Sequence, residues 1–164
     1  MSLLILTGPA GAGKNTIAHA FAKKKSKCAV VDVDTVRWMV LQPHHAPWSG
    51  AEGEKQVELG IRNASALTKN FIQEGYDVVI LDVVTDWSLN LYKQYLQGND
   101  FKIVILLPEF EELKKRNRQR PTTKITEGRI ATLYKEQEKF TGFDEKIDNT
   151  SLSAEDVAEK LIKL

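Results

Sequence analysis

One cysteine, Cys28, stands among 164 residues, so no disulfide forms within the chain. A fold without cross-links must rest on a packed core, and this length is ample for one domain, 1–164. The lone thiol fits a reducing compartment, and a cytoplasmic protein is expected. Cys28 precedes an apolar run and reads as packing rather than chemistry. Long hydrophobic runs are also missing: none exceeds a strand, far short of the ~20 residues of a membrane helix. The start Met1-Ser2-Leu3 passes straight into such a run and leaves no place for a signal peptide. Net charge is scarce too. The 23 Lys and Arg against 22 Asp and Glu leave +1, no global field for nucleic acid or an anionic membrane. The expected state is a monomer or homodimer, with small molecules as partners.

What is present begins near the N-terminus. The apolar stretch Leu3–Thr7 runs into Gly8-Pro9-Ala10-Gly11-Ala12-Gly13-Lys14-Asn15-Thr16, and a helix-compatible stretch, Ile17 to Lys25, follows. Strand, glycine-rich turn and helix in that order, with Gly8-x-x-x-x-Gly13-Lys14 between, make a phosphate-binding loop. Glycines let the backbone wrap closely and turn several N–H groups toward one anion. The helix adds its positive end, and Lys14 supplies a mobile charge for the outer phosphates. Asn15 departs from the pattern, since Ser or Thr commonly precedes the helix there; its amide oxygen remains a hard ligand for a metal.

Apolar and amphipathic stretches alternate along the chain, which predicts an α/β fold with a parallel sheet and helices on both faces. Strands are expected at Leu3–Thr7, Cys28–Val33, Asp77–Val83, Phe101–Leu107 and near Glu145–Asp148. The first, third and fourth are almost continuously apolar, as strands covered on both faces should be. Helical spacing joins Val57, Ile61, Ala64 and Phe71, with Gly75 at the C-cap. Further helices are expected over Trp87–Gln97, Glu109–Arg118 and Ile125–Phe140. A last one opens on the capping pair Ser153 and Asp156.

Polar residues cluster where these strands end. Asp32, Asp34 and Arg37 follow the second strand, at the edge where open α/β sheets bind ligands. A carboxylate there accepts a hydroxyl proton and a guanidinium holds an anionic group; the plainer alternative is a helix cap at Asp34 with a solvated Arg37. Asp82 closes the third strand as a metal or water-network group. A basic run, Lys114-Lys115-Arg116-Asn117-Arg118-Gln119-Arg120, follows the fourth. No aromatic interleaves its arginines, so stacking on single-stranded nucleic acid is unsupported. Asp148-Asn149-Thr150-Ser151 follows the fifth strand. Trp38, Met39, His44, His45 and Trp48 lie in a segment that lines an organic ligand or packs its tryptophans. Adjacent histidines rarely supply two good metal ligands.

With these residues the chain resembles the P-loop small-molecule kinases, a group that includes shikimate, gluconate and adenylylsulfate kinases and chloramphenicol phosphotransferase. The resemblance implies a P-loop nucleoside triphosphate hydrolase fold, a five-stranded parallel sheet of order 2-3-1-4-5. It implies ATP and Mg²⁺ and phosphoryl transfer to a hydroxyl of a small molecule. Gly8 to Thr16 would hold the nucleotide, with Asn149 near the adenine. The loop is similar to that of the adenylate kinase group, which holds its metal largely through water, so Asn15, Asp32 and Asp82 become the expected metal residues. Asp34 becomes the base or substrate-orienting residue, and Arg37, Trp38 and Trp48 belong to an acceptor segment at about 35–60. A lid at about 114–128 would bring Arg116 and Arg120 onto the transferring phosphoryl group, with Arg129 returning from the next helix. Two other readings stand beside this one. A nucleotide switch lacks support from any Asn-Lys-x-Asp guanine signature, and a kinase for a nucleotide-sugar or nucleic-acid end meets a near-neutral chain.

Overall fold

The computed structural model describes residues 2–119 and 125–164. Five parallel strands, β1 (Leu3–Thr7), β2 (Cys28–Asp32), β3 (Asp77–Leu81), β4 (Lys102–Leu106) and β5 (Glu145–Ile147), form one sheet in the order β2-β3-β1-β4-β5. The helices are α1 (Lys14–Ala22), α2 (Val33–Arg37), α3 (Gly50–Gln73), α4 (Asp86–Tyr95), α5 (Phe110–Arg118), α6 (Glu127–Lys139) and α7 (Ala154–Ile162).

Side chains alternate across the sheet and both faces are covered. Leu3, Ile5, Val78, Ile80, Ile103 and Ile105 pack with Ile61 and Ala64 of α3 and Leu89 and Tyr92 of α4. Leu4, Leu6, Val79, Leu81, Val104 and Leu106 pack with Ile17 and Phe21 of α1, Leu113 of α5 and Val157 and Leu161 of α7. This is why the central strands read as unbroken apolar runs. Truncating one of the fully buried residues, such as Ile5→Ala, would cost about 2–5 kcal/mol.

Several ends fall short of expectation, for local reasons. β2 stops at Asp32 because its carboxylate accepts from Thr35 N at 3.2 Å and caps α2, so Val33 is already helical. β3 stops at Leu81 because Asp82 Oδ1 accepts from Val83 N at 2.7 Å and bends the chain. α1 starts at Lys14, earlier than Ile17, because Gly13 adopts a left-handed φ of 94° at its N-cap. The expected caps of α3 and α7 are present. Tyr76 N returns to Phe71 O at 3.0 Å around Gly75, and Ser153 and Asp156 form a reciprocal box.

Register levels the strand ends. Leu6 and Asp32 both lie beside Leu81, so the turns leaving β1, β2 and β3 emerge on one edge. Gly8, Asp34 and Asp82 leave the sheet together there.

Candidate active site at the carboxyl edge

The loop after β1 is built to expose backbone amides. Gly8 passes so close to β4 that a Cβ would overlap the carbonyl oxygen of Leu106. Ala12 N closes the turn on Pro9 O at 3.1 Å, and Ile17 N reaches Gly13 O at 3.0 Å to begin the helix ladder. Lys14 Nζ curls back to donate to Gly8 O at 2.6 Å, with Pro9 O at 3.4 Å. The expected loop residues Gly8 to Thr16 thus form one turn opening α1, with Asn15 and Thr16 exposed on its first turn.

Asn149 braces this loop from below. Its Nδ2 donates to Ala12 O at 2.8 Å, and its buried Oδ1 has no hydrogen-bond partner among the described residues. The carboxamide therefore lies under the loop, next to Gly13. Arg116 of α5 donates from Nη2 to Asn149 O at 2.9 Å and Thr150 O at 3.3 Å, and from Nε to Glu112 at 2.9 Å. Its Nη1 lies 4.0 Å from the place a Cβ on Gly13 would occupy. Arg116 is thus fixed between the turn after β5 and the loop after β1. Arg120 falls outside the described residues.

Three acids meet the loop differently. Asp32 caps α2 through Oδ1, and its Oδ2 accepts from Asn15 Nδ2 at 3.2 Å. Asp82 is half-buried, with Oδ2 accepting from Tyr92 Oη at 2.6 Å and Oδ1 from Val83 N. Burial pushes the Asp82 carboxyl above the usual carboxylate range; the two hydrogen bonds oppose that rise, Asp34 adds to it and Lys14 relieves it. Burial likewise drives the Tyr92 hydroxyl well above its ordinary value, aided by Asp82, so it stays a proton donor. Asp34, the third acid, is 70% exposed. It does not cap the helix; Asp32 does.

Arg37 is not solvated either. It is 7% exposed, with Nη1 3.1 Å from Asp34 Oδ1 and Nη2 donating to His45 O at 3.4 Å. The segment after it is held by α3, where Gln56 accepts from His45 N at 2.8 Å and donates to Pro43 O at 2.6 Å. Trp38 stacks on His44 with ring centroids 4.0 Å apart, and that imidazole's Nδ1 sits 3.2 Å from Val40 O. Trp48 carries the guanidinium of Arg129 over its ring at 4.5 Å. The contact brings the segment around Trp48 against the start of α6.

No group of three or more His, Cys, Asp or Glu among the described residues is gathered closely enough to cage a metal. The donor set that is present, Asp32, Asp82, the Asn15 amide and the Thr16 hydroxyl, is made of hard oxygens. That suits Mg²⁺, which keeps several waters and leans on substrate phosphates.

Three contributors escaped the sequence reading. Tyr92 orients Asp82 from ten residues away. Asn117 pairs its carboxamide with the backbone of Ile125 in both directions, at 2.8 and 3.1 Å, and Arg118 meets Glu127 at 2.9 Å, tying together the two ends of the expected lid. Buried Gln137 of α6 closes a ring behind the loop. It accepts from Thr7 Oγ1 at 2.9 Å and donates to Val84 O at 2.7 Å, while Val84 N donates to Thr7 Oγ1 at 2.8 Å. The one available signal was a Gln and a Thr at positions otherwise expected to be apolar.

Residues 3–142 match the family AAA_33, described as an AAA domain. The chain belongs to this family. Its AAA-domain match runs from β1 to just short of β5 and includes the loop, the three acids and the acceptor segment. A guanylate kinase of Zymomonas mobilis is 24% identical over 173 residues, covering 92% of this chain and 77% of that protein. Among solved structures, an adenylylsulfate (APS) kinase of Mycobacterium tuberculosis, in complex with AMPPNP and APS, superposes with a TM-score of 0.74 at 18% identity, over 99% and 95% of the two chains. A shikimate kinase of Bacteroides thetaiotaomicron gives 0.70 at 18%, over 99% of each. The fold of this AAA_33 member is that of the P-loop kinases.

Proposed function

We propose that the protein is an ATP-dependent kinase that phosphorylates a hydroxyl group of a small molecule. The observation that carries this reading is the meeting of two kinds of site on one edge. The glycine loop with Lys14 and the Asp34 carboxylate leave the same edge of the sheet, and both charges act on the Asp82 carboxyl there. A nucleotide switch needs the first site; only a transferase needs an exposed carboxylate opposite it. The relatives support the reading by name, one of them bound to AMPPNP and APS.

In this account the loop amides and Lys14 hold the β- and γ-phosphates, while Arg116 and Arg120 offset the charge that gathers on the transferring group. Asp32, Asn15 and Asp82 would hold Mg²⁺ directly or through water, and the ion would neutralise charge on the outer phosphates. Asp34 orients the acceptor hydroxyl. The hydroxyl oxygen bonds to the γ-phosphorus, the bond from that phosphorus to the bridging oxygen breaks, ADP leaves with the electron pair, and the hydroxyl proton passes to Asp34. Most of the acceleration comes from positioning. The enzyme is read as a cytoplasmic monomer or homodimer with no nucleic-acid partner; among the described residues no helix is long and apolar enough to cross a membrane.

The test is ADP release with ATP and Mg²⁺ across a panel of hydroxyl compounds, repeated with Asp34→Asn. At least one compound should stimulate the wild type, and the variant should lose about 10²–10⁴-fold of that stimulation. Retained stimulation in Asp34→Asn would remove Asp34 from the reaction. A panel in which nothing stimulates would favour the switch.

A further inference from the structure

Resting on that kinase reading, we infer that the acceptor is an uncharged, largely apolar hydroxyl compound rather than an anion. Among the described residues, the cation paired with Asp34 is buried and held inside the protein. Arg37 gives Nη1 to Asp34 and Nη2 to the His45 carbonyl, and its Nε is buried with no hydrogen-bond partner among the described residues. Its stem lies in a notch of α3. A Cβ on Gly60 would overlap Arg37 Cγ, and a Cβ on Gly53 would overlap the Ala46 carbonyl oxygen. Gly53 and Gly60 are seven residues apart and so share a helix face. α3 is cut away twice on that face, once for the segment 43–47 and once for Arg37. Bidentate capture of a carboxylate or phosphate needs an open guanidinium fork. Arg37 would have to abandon Asp34 and leave its notch to offer one. It is a positioning residue, which aims Asp34 and anchors the acceptor segment.

What this region shows to solvent has the opposite character. Within residues 33–48 the exposed charge is the Asp34 carboxylate, which repels an anion. Trp38, Met39, Leu41 and Trp48 are each between 63% and 82% exposed, four of the eight large apolar side chains exposed among the described residues, all within residues 38–48. Concentrated exposed apolar surface marks a binding site more often than an accident of folding. The cation arriving from α6, Arg129, spreads its guanidinium on the Trp48 ring, an arrangement that favours flat apolar contact.

Matched pairs of hydroxyl compounds test this: a hydroxy acid against its methyl ester or primary amide, over several carbon frames. ADP release gives kcat/KM. Melting-temperature shifts with a non-hydrolysable ATP analogue and Mg²⁺ give binding without turnover. The neutral member of the effective pair should exceed the acid by at least about tenfold in kcat/KM, the discrimination expected of a mismatched charge or methylene-scale contact. Arg37→Met and Gly60→Ala should lower kcat for both members by a similar factor, leave the ratio between them unchanged, and leave ATP binding intact. Trp48→Ala should raise KM. Preference for the acid, abolished by Arg37→Met or by Arg129→Gln, would overturn the inference while leaving the kinase reading standing. If neither member of any pair stimulates turnover or shifts melting while the ATP analogue still binds, the kinase reading falls and this inference with it.

Discussion

The phosphate loop and the acceptor segment lie at the same edge of one sheet and are built on opposite principles. The loop recognises through backbone. Its ligand groups are amides, so the sequence must supply glycines at fixed spacings, a lysine and a helix start. The segment we propose for the acceptor would recognise through side chains standing on a backbone that α3 holds from behind, through Gln56, Gly53 and Gly60. Its scaffold constrains α3 rather than the side chains at 38–48. Backbone recognition writes itself into the sequence; side-chain recognition leaves only an unusual concentration of exposed apolar residues.

The comparison breaks hardest at Lys14. Lys14→Ala should leave the melting temperature nearly unchanged and lower ATP turnover by on the order of 10²–10³ or more, the scale of losing one preorganised charge-stabilising group. Turnover like wild type would end the account of the loop. Arg116→Ala is expected next. Two of its hydrogen bonds join α5 to the turn after β5 and a third holds it to Glu112 within the helix, and a lost charged contact at the transferring group is worth about 1.5–3 kcal/mol. The variant should lose more in kcat than in ATP affinity; equal losses would make Arg116 a ground-state anchor only.

Asp82→Asn sharpens the contrast through pH. The carboxyl's pKa in the folded protein lies above its unfolded value. The stabilisation from its protonated form is therefore fully present below the ordinary carboxylate range, and is lost as pH rises through the raised folded value. Asn carries no such dependence. Melting curves should nearly coincide in acid and separate in the variant's favour toward neutral pH, each kcal/mol moving the midpoint by about 2–4 °C in a domain this size. A separation that ignores pH would contradict the raised, poorly solvated carboxyl. The smallest effect belongs to Cys28. Its thiol is pushed up to about 11 by burial and by the charge of Asp77, against a smaller opposing effect of Lys25. It should alkylate slowly at neutral pH, with no change in ATP binding. Fast modification that blocks ATP would show β2 coupled to the loop.

Much of this was legible before any coordinates. The strand order, the loop, and the placing of Asp32, Asp34 and Asp82 at one edge all follow from spacing, alternation and resemblance. What stayed hidden depends on partners far away in sequence. Arg37 reads as a solvated or ligand-holding residue until Gly60, on another element, is seen to open a notch for it. Asp82 reads as a metal or water-network group, and only the fold shows that Tyr92 orients it. Gln137 and Thr7 gave only the faint signal of polar residues at positions expected to be apolar, because a glutamine inside a charged helix looks solvated and its partners Thr7 and Val84 lie outside that helix. The bond from Asn149 Nδ2 to Ala12 O, which joins the turn after β5 to the loop after β1, was equally hidden because its partners lie 137 residues apart.

The most direct test of two separable halves is equilibrium binding of ATP with Mg²⁺ to Lys14→Ala and Asp34→Asn, measured side by side with the wild type by calorimetry. The account predicts that Asp34→Asn binds as the wild type does, and that Lys14→Ala binds at least about tenfold more weakly, the loss of one charged contact to phosphate. Equal weakening in both variants would contradict it, because Asp34 would then belong to the nucleotide site and the edge would hold one site instead of two.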